Sequence, residues 1–230
     1  MLLRRITEHT KTQNWFAVGI DFVVVVLGIF IGLQVSDWNQ ARLDGREAAY
    51  HLGFLYEELL EEIIVSEEEI KRSRLIAYNS FDASTLLVKD DWEPEDEEKF
   101  KELVYSTFQL WGPKSRPVSL RRMIDDGKLD LVKSKQLQKA ILDFESAYLD
   151  AIDQTETSYS YSLQVTPAIT ASMKFVGPKI VSTAQELRSN YALRAAVRDK
   201  AIWQRVQLEV LDDLQGARNT LRDVLAEHLQ

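Results

Sequence analysis

Apolar residues are laid out along this chain in two ways. From Trp15 to Val35 they run almost without interruption, WFAVGIDFVVVVLGIFIGLQV, relieved only by glycines, Asp21 and Gln34. From Asp37 onward they recur three or four residues apart among charged residues, the period of a helix with one buried face. The first pattern predicts a membrane-spanning helix. The second predicts an all-α domain carried behind it, an elongated helical bundle entered directly from the span.

The span can be weighed. Twenty-one residues at about 1.5 Å each cover roughly 31 Å, the thickness of a bilayer's hydrocarbon core. Fourteen residues favour insertion: Phe16, Val18, Ile20, Phe22, Val23 to Val26, Leu27, Ile29, Phe30, Ile31, Leu33 and Val35. At roughly 0.3–0.6 kcal/mol each they supply about 4–8 kcal/mol, against at most ~3.5 kcal/mol for Asp21 at the bilayer centre. Asp21 lies nearer the N-terminal edge, where it costs less. A buried core helix is the competing reading, but so long an all-round apolar run is rare in soluble cores. A cleaved signal peptide fits less well, because the apolar core is long and Gln34-Val35-Ser36-Asp37 offers no small-residue cleavage site. Trp15 and Trp38 bracket the segment, where interfacial anchors belong.

This predicts three parts: a short cytoplasmic N-terminus over 1–14, a transmembrane helix over 15–35, and a helical extracytoplasmic domain over 36–230. The orientation rests on Arg4, Arg5, Lys11 and the terminal amine before the span, against Arg42 and Arg46 after it. In a bacterial inner membrane the domain is then periplasmic.

Within the domain, Pro94, Pro113, Pro117, Pro167 and Pro178 punctuate helical runs. The first run continues from Asp37 to near Asn79, with Leu52, Leu55, Leu59, Ile63 and Ile70 on its apolar face. A second helix starts at Pro94, its first turn rich in acid, and buries Phe100, Leu103, Val104, Phe108 and Leu110 or Trp111. Trp111 to Pro117 reads as a loop. Ser119 is placed to cap a short helix over Leu120 to Asp126, ended by Gly127. A further helix runs from about Ser134 to Ser162, with Leu137, Ile141, Phe144, Tyr148, Leu149 and Ile152 inward. Pro167 to Pro178 reads as irregular. The last helix covers roughly Ser189 to Leu229, its apolar positions including Leu193, Val197, Ile202, Val206, Leu208, Leu211, Leu214, Leu221, Val224 and Leu225, with Gly216 interrupting it as a kink. The two long terminal helices are expected to pack antiparallel.

Charge narrows the partners. From Ser36 on, 25 Lys and Arg face 34 Asp and Glu, which argues against nucleic acid and against broad adhesion to an anionic surface. The acid clusters at Glu57 to Glu69 and Asp90 to Glu98, as on solvated helix faces. Glu57/Glu61 and Glu58/Glu62 sit one turn apart and repel unless neighbouring bases neutralise them, and Lys71, Arg72 and Arg74 lie nearby along the chain. Asp90 to Asp96 lacks the alternation and central glycine of a calcium loop.

Catalytic chemistry is not apparent. None of His9, His51 and His228 follows a Glu by three residues, so no di-iron pair is present; Glu47 and His51 alone are too few for a transition metal. Phosphate-loop, nucleotide, metalloprotease and serine-elbow motifs are missing. With no cysteine, thiol catalysis, disulfides and thiolate sites fall away. The expectation is a protein that is not an enzyme and needs no cofactor or metal.

Inside the span, Gly28 and Gly32 form a small-xxx-small pair that lets two helices approach closely. At helical spacing Asp21, Val25, Gly28 and Gly32 share one face. An ionisable residue at such a depth is paired, protonated, functional or reaching for the headgroups.

Asp21 followed by VVVVLGIFIGLQVSDWNQ resembles the N-terminal anchor of an uncharacterised family of bacterial single-pass membrane proteins. In that family an acidic residue precedes an apolar run with an Ile-Gly-Ile-type core and a Leu-Gln-Xaa-Xaa-Xaa-Trp-Asn segment, matched here by Leu33, Gln34, Trp38 and Asn39. The likeness covers about 19–39, with a fainter echo at Asp126 to Val132, and implies a bacterial envelope protein. A narrower resemblance, through Asp21 alone, is to coupling subunits of proton-driven envelope motors, whose soluble modules are α/β. The expected function is that of a scaffold or accessory subunit in an envelope assembly, contacting lipid and either a second copy or another membrane protein. A sensory ligand-binding module working through a partner is the alternative, and an ion-coupled role for Asp21 a third.

Overall fold

In a computed structural model of the chain, residues 15–229 are described. The segment over 1–14, with Arg4, Arg5, His9 and Lys11, lies outside the described residues. The fold is all-α, apart from one small hairpin, and divides into two units, Met1–Ala48 and Ala49–Gln230. One helix, α1 (Trp15–Leu86), contributes to both.

In the first unit, α1 is an uninterrupted helix whose described side chains from Phe16 to Leu43 are all exposed. It is the one described helix long and apolar enough to cross a membrane.

In the second unit α1 is followed by α2 (Pro94–Leu103), a 3-10 turn (Val104–Phe108), α3 (Val118–Asp125), a second 3-10 turn (Lys128–Leu131) and α4 (Lys135–Ala171). Then come β1 (Phe175–Val176) and β2 (Lys179–Ile180), α5 (Ala184–Ser189) and α6 (Tyr191–Leu229). Three long helices make the bundle. Side-chain pairs fix their directions. Glu62, Ser66 and Arg74 on α1 meet Arg218, Gln215 and Asp212 on α6, so these helices are antiparallel, as the pattern predicts. Thr155 and Ser162 on α4 meet Gln207 and Lys200 on α6, again antiparallel. Helices α1 and α4 are therefore parallel, and the chain between them has to return along the bundle.

The seams are strict. On α4, Leu137, Ile141, Phe144, Tyr148, Ala151, Thr155, Ser158, Ser162, Val165 and Ile169 alternate steps of four and three, all buried or nearly so. On α6 the series is Leu193, Val197, Lys200, Gln204, Gln207, Leu211, Leu214, Arg218, Leu221 and Leu225, every one buried. On α1, Leu52, Leu59, Ser66, Ser73 and Ser80 recur every seventh residue, a series that Leu87 continues just past the helix end, and all are buried. This is the spacing of left-handed, coiled-coil-like packing. It divides the apolar core in two. One cluster joins Leu52 to Ile63 with α3, the start of α4 and Leu214 to Leu225. The other joins Ala83 to Leu87 with Phe100, Val104, Ile169 and Leu193 to Val197.

Several boundaries differ from the sequence reading, each for a tertiary reason. Helix α1 passes Asn79 and ends at Leu86, because Asn79 is engaged across the bundle, donating to Ser106 Oγ at 3.1 Å, and Ala83 and Leu87 extend the buried face. Helix α2 starts at Pro94 with a Glu93–Asp96 capping box, but tightens into the 3-10 turn after Leu103. Ser119 is not a cap: α3 starts after Pro117, and the Glu58 carboxylate supplies the capping from α1. Gly127 does adopt the left-handed conformation, at φ 67°. Helix α4 is capped by Ser134 and runs through Pro167 to Ala171; seating Val165 and Ile169 in the core outweighs an interior proline's cost of about 3 kcal/mol. What read as irregular to Pro178 is thus helix, then a hairpin turning at Gly177, φ 57°. Helix α6 starts at Tyr191 and is unbroken at Gly216. Leu149, Ile202 and Val206 are exposed because they fall off the four–three seam.

Candidate functional site

The two apolar clusters are separated by a polar waist. Around the middle of the bundle each long helix places polar residues on its own seam: Ser66 and Ser73 on α1, Thr155, Ser158 and Ser162 on α4, Lys200, Gln204 and Gln207 on α6. Ser158 Oγ donates to Gln207 Oε1 at 3.1 Å, and Gln207 Nε2 donates to Thr155 Oγ1 at 2.9 Å. Lys200 is 2% exposed and donates to Ser162 Oγ; its burial, with no carboxylate among the described residues facing it, lowers its pKa to about 8.

The glutamines also hold the returning chain. Gln204 Nε2 donates to the carbonyls of Ser106 at 2.8 Å and Gln109 at 3.0 Å, and Gln207 Nε2 to that of Trp111 at 3.1 Å. The Arg72 guanidinium lies over the Trp111 ring, 4.6 Å from its centroid. Residues 108–114 form a strap, and beneath it lies a groove of about 1350 Å3 between α1 and α4, floored by Leu211 and Arg218 of α6.

Gly112 sets how closely the strap can seat. A Cβ there would lie 2.0 Å from Thr155 Oγ1 and 2.7 Å from Gln207 Nε2, both committed to the waist. Gly112→Ala is expected to cost about 1–3 kcal/mol as the strap is pushed outward. Thr155→Ala, which removes the Thr155 atoms and leaves Gln207 Nε2, should return part of the loss in the double variant. Urea denaturation of the four combinations reads both.

The groove floor carries an ionic network. Arg218 donates to Glu62 at 3.4 Å and to Gln215 at 3.4 Å, and its guanidinium lies 5.4 Å from the Tyr148 ring centroid. Burial raises the pKa of Glu62, Arg218 opposing it. Burial and the Glu62 charge push Tyr148 up to about 12. Glu58 differs: burial raises it, but hydrogen bonds from the Ser119 hydroxyl and amide and the Val118 amide outweigh that, and its pKa is lowered. Glu58 and Glu62 are thus relieved by the α3 N-terminus and by Arg218, not by the bases close by along the chain. Lys71 pairs with Glu68, Arg72 stacks on Trp111, and Arg74 pairs with Asp212. Asp96 caps α2 and pairs with Lys89. Among the described residues no three His, Asp or Glu side chains gather as a metal site would need.

In the first unit, Asp21, Gly28 and Gly32 lie on one exposed face of α1, and a Cβ at either glycine would meet nothing within 4 Å. Trp38 is exposed, with the Arg42 guanidinium 5.8 Å from its ring centroid. Trp15 is the first residue of the helix; its side chain lies outside the described ones.

Compared with protein-family profiles, curated proteins and solved structures, the chain matches none.

Proposed function

We propose that this protein is a single-pass bacterial inner-membrane protein, anchored by 15–35, whose helical unit stands in the periplasm as a non-enzymatic scaffold or accessory subunit of an envelope assembly. The observation that carries the reading is the exposure of apolar side chains on every side of α1 over that stretch. A soluble protein rarely leaves so large an apolar surface uncovered, and lipid would cover it. The groove supports assembly over sensing of a small molecule. It is edged with charge and larger than the roughly 300–1,000 Å3 of small-ligand pockets. Protease added to spheroplasts should digest the helical unit; protection until the membrane is broken would reverse the orientation.

The open Gly28/Gly32 face supports self-association through the span. Isoleucine at both glycines is expected to lower crosslinking of the full chain in membranes, and of an isolated-span peptide, several-fold. Unchanged yields in both would end the spacing argument. If Asp21 faces protein, Asp21→Leu should reduce co-purification of its partner more than Asp21→Asn does. A system in which Asp21→Glu works and Asp21→Asn does not would favour ion coupling.

A further inference from the structure

We propose that the strapped groove is the docking site for an elongated, basic peptide segment of a partner protein. The inference rests on reading the chain as an assembly subunit, and it names the chemistry of what is assembled.

Shape comes first. The α4 residues lining the groove run from Tyr148 to Pro167, and those of α1 from Glu58 to Ile70. At 1.5 Å per residue these walls are roughly 28 Å and 18 Å long. The occupant is therefore long: a helix of three to five turns or an extended strand of chain, the two forms in which peptides enter grooves.

Charge comes second. Glu61, Glu69 and Glu156 line the groove, are exposed, and are in no ion pair or hydrogen bond among the described residues. Glu58 and Glu62 are already engaged, by the α3 N-terminus and by Arg218. The lining's own cations are Arg218, already paired with Glu62, and Lys114. Three carboxylates against one available lysine select a cationic occupant and repel nucleic acid or phosphate.

Apolar surface comes third. Trp111, Tyr159, Leu163 and Val65 line the same groove and remain 37%, 58%, 60% and 60% exposed. Trp111 already carries Arg72 over its ring, so the aromatic face open to an incoming cation is that of Tyr159, which suits Lys and Arg side chains, whose stems lie on apolar surface while their charges reach an acid or a ring face. A simple polyamine would satisfy the carboxylates and leave these four side chains uncovered. The combination matches a segment in which basic and apolar residues alternate at helical spacing.

The test uses the full chain in nanodiscs of zwitterionic lipid, with empty nanodiscs as the background. The probe is a fluorescein-labelled 18-residue peptide of leucine and lysine patterned as an amphipathic helix, read by anisotropy. Binding at micromolar concentration is expected, weakening as salt rises. The triple variant Glu61→Gln, Glu69→Gln, Glu156→Gln should weaken it at least tenfold. It should fold normally, since none of the three carboxylates is bonded among the described residues. Tyr159→Ala with Leu163→Ala should weaken it independently. The same peptide with glutamate in place of lysine should not bind. Absence of binding, or equal binding by the triple variant, overturns the proposal. So does spermine that displaces the peptide at equal concentration with no effect of Tyr159→Ala and Leu163→Ala, because charge alone would then explain the site. Retention of the chain in the nanodisc is scored separately, so a failed groove and a failed anchor give different results.

Discussion

Replacing Arg218 by methionine is expected to destabilise the helical unit by about 3 kcal/mol. The guanidinium is almost fully buried, its side chain 6% exposed, and it faces Glu62, Gln215 and the Tyr148 ring together. Burial raises Glu62 even with Arg218 beside it, so desolvation of the carboxylate outweighs the attraction. Removing the base leaves a half-buried carboxylate with only the Tyr148 hydroxyl, 3.3 Å away. Breaking a buried pair costs roughly 3–5 kcal/mol, and the lower end applies because Glu62 keeps some solvent. The sign reverses for the pair as a whole. Glu62→Leu combined with Arg218→Met should recover most of the loss, since it removes both desolvation costs. Urea denaturation of the detergent-solubilised chain, run as a double-mutant cycle, measures the coupling. A double variant as unstable as Arg218→Met alone would contradict this account.

Lys200→Met should act the other way and stabilise. Lys200 titrates near 8 in the fold against 10.5 as a free side chain, because burial disfavours its charge. Below pH 8 both folded and unfolded chains hold the proton, and the deficit is complete. Between pH 8 and 10.5 the folded chain has released it and the unfolded chain has not, so stability rises with pH. At about 1.4 kcal/mol per pH unit the deficit at neutral pH is about 3 kcal/mol. Losing the Lys200–Ser162 hydrogen bond returns about 1 kcal/mol of this, leaving a net gain of about 2 kcal/mol for methionine. The rise of stability across pH 8 to 10.5 should also vanish. A methionine variant that is less stable at pH 7 would show that Lys200 is compensated in the folded chain.

The retention of so costly a group has a structural counterpart. Polar residues stand at one level on three seams, and sliding one helix by a heptad would set Lys200 or Gln204 against leucine. Polar core positions fix register in coiled coils at a cost in stability. Here they also hold the strap through Gln204 and Gln207.

Much of the fold was legible in the sequence, because apolar periodicity reports burial directly. Leu52, Leu55 and Leu59, Leu137, Ile141 and Phe144, and Leu211, Leu214, Leu221 and Leu225 read as core and are core. The waist was not legible from apolar positions, since a search for them passes over polar residues on the same seam. Counting four–three steps through Val197, Lys200, Gln204, Gln207 and Leu211 would have found it. Ile202 and Val206, apolar but off the steps, are exposed. The Glu62–Arg218 pair joins residues 156 positions apart, and no local rule connects them. The groove follows from α1 and α4 being parallel, which requires a return strap; helix content does not show that direction.

The central claim is that 15–35 is a membrane anchor. The most direct measurement is alkaline carbonate extraction of membranes from cells making the full chain, with the intact mass of the retained chain determined. The account predicts that the chain stays in the membrane pellet with 15–35 attached. Lysine at Val24, Val25 and Val26 should release it, since three central lysines cost roughly 8–10 kcal/mol against an insertion gain of about 4–8 kcal/mol. Recovery of the unaltered chain in the alkaline supernatant, or only of a form that has lost 15–35, would contradict it.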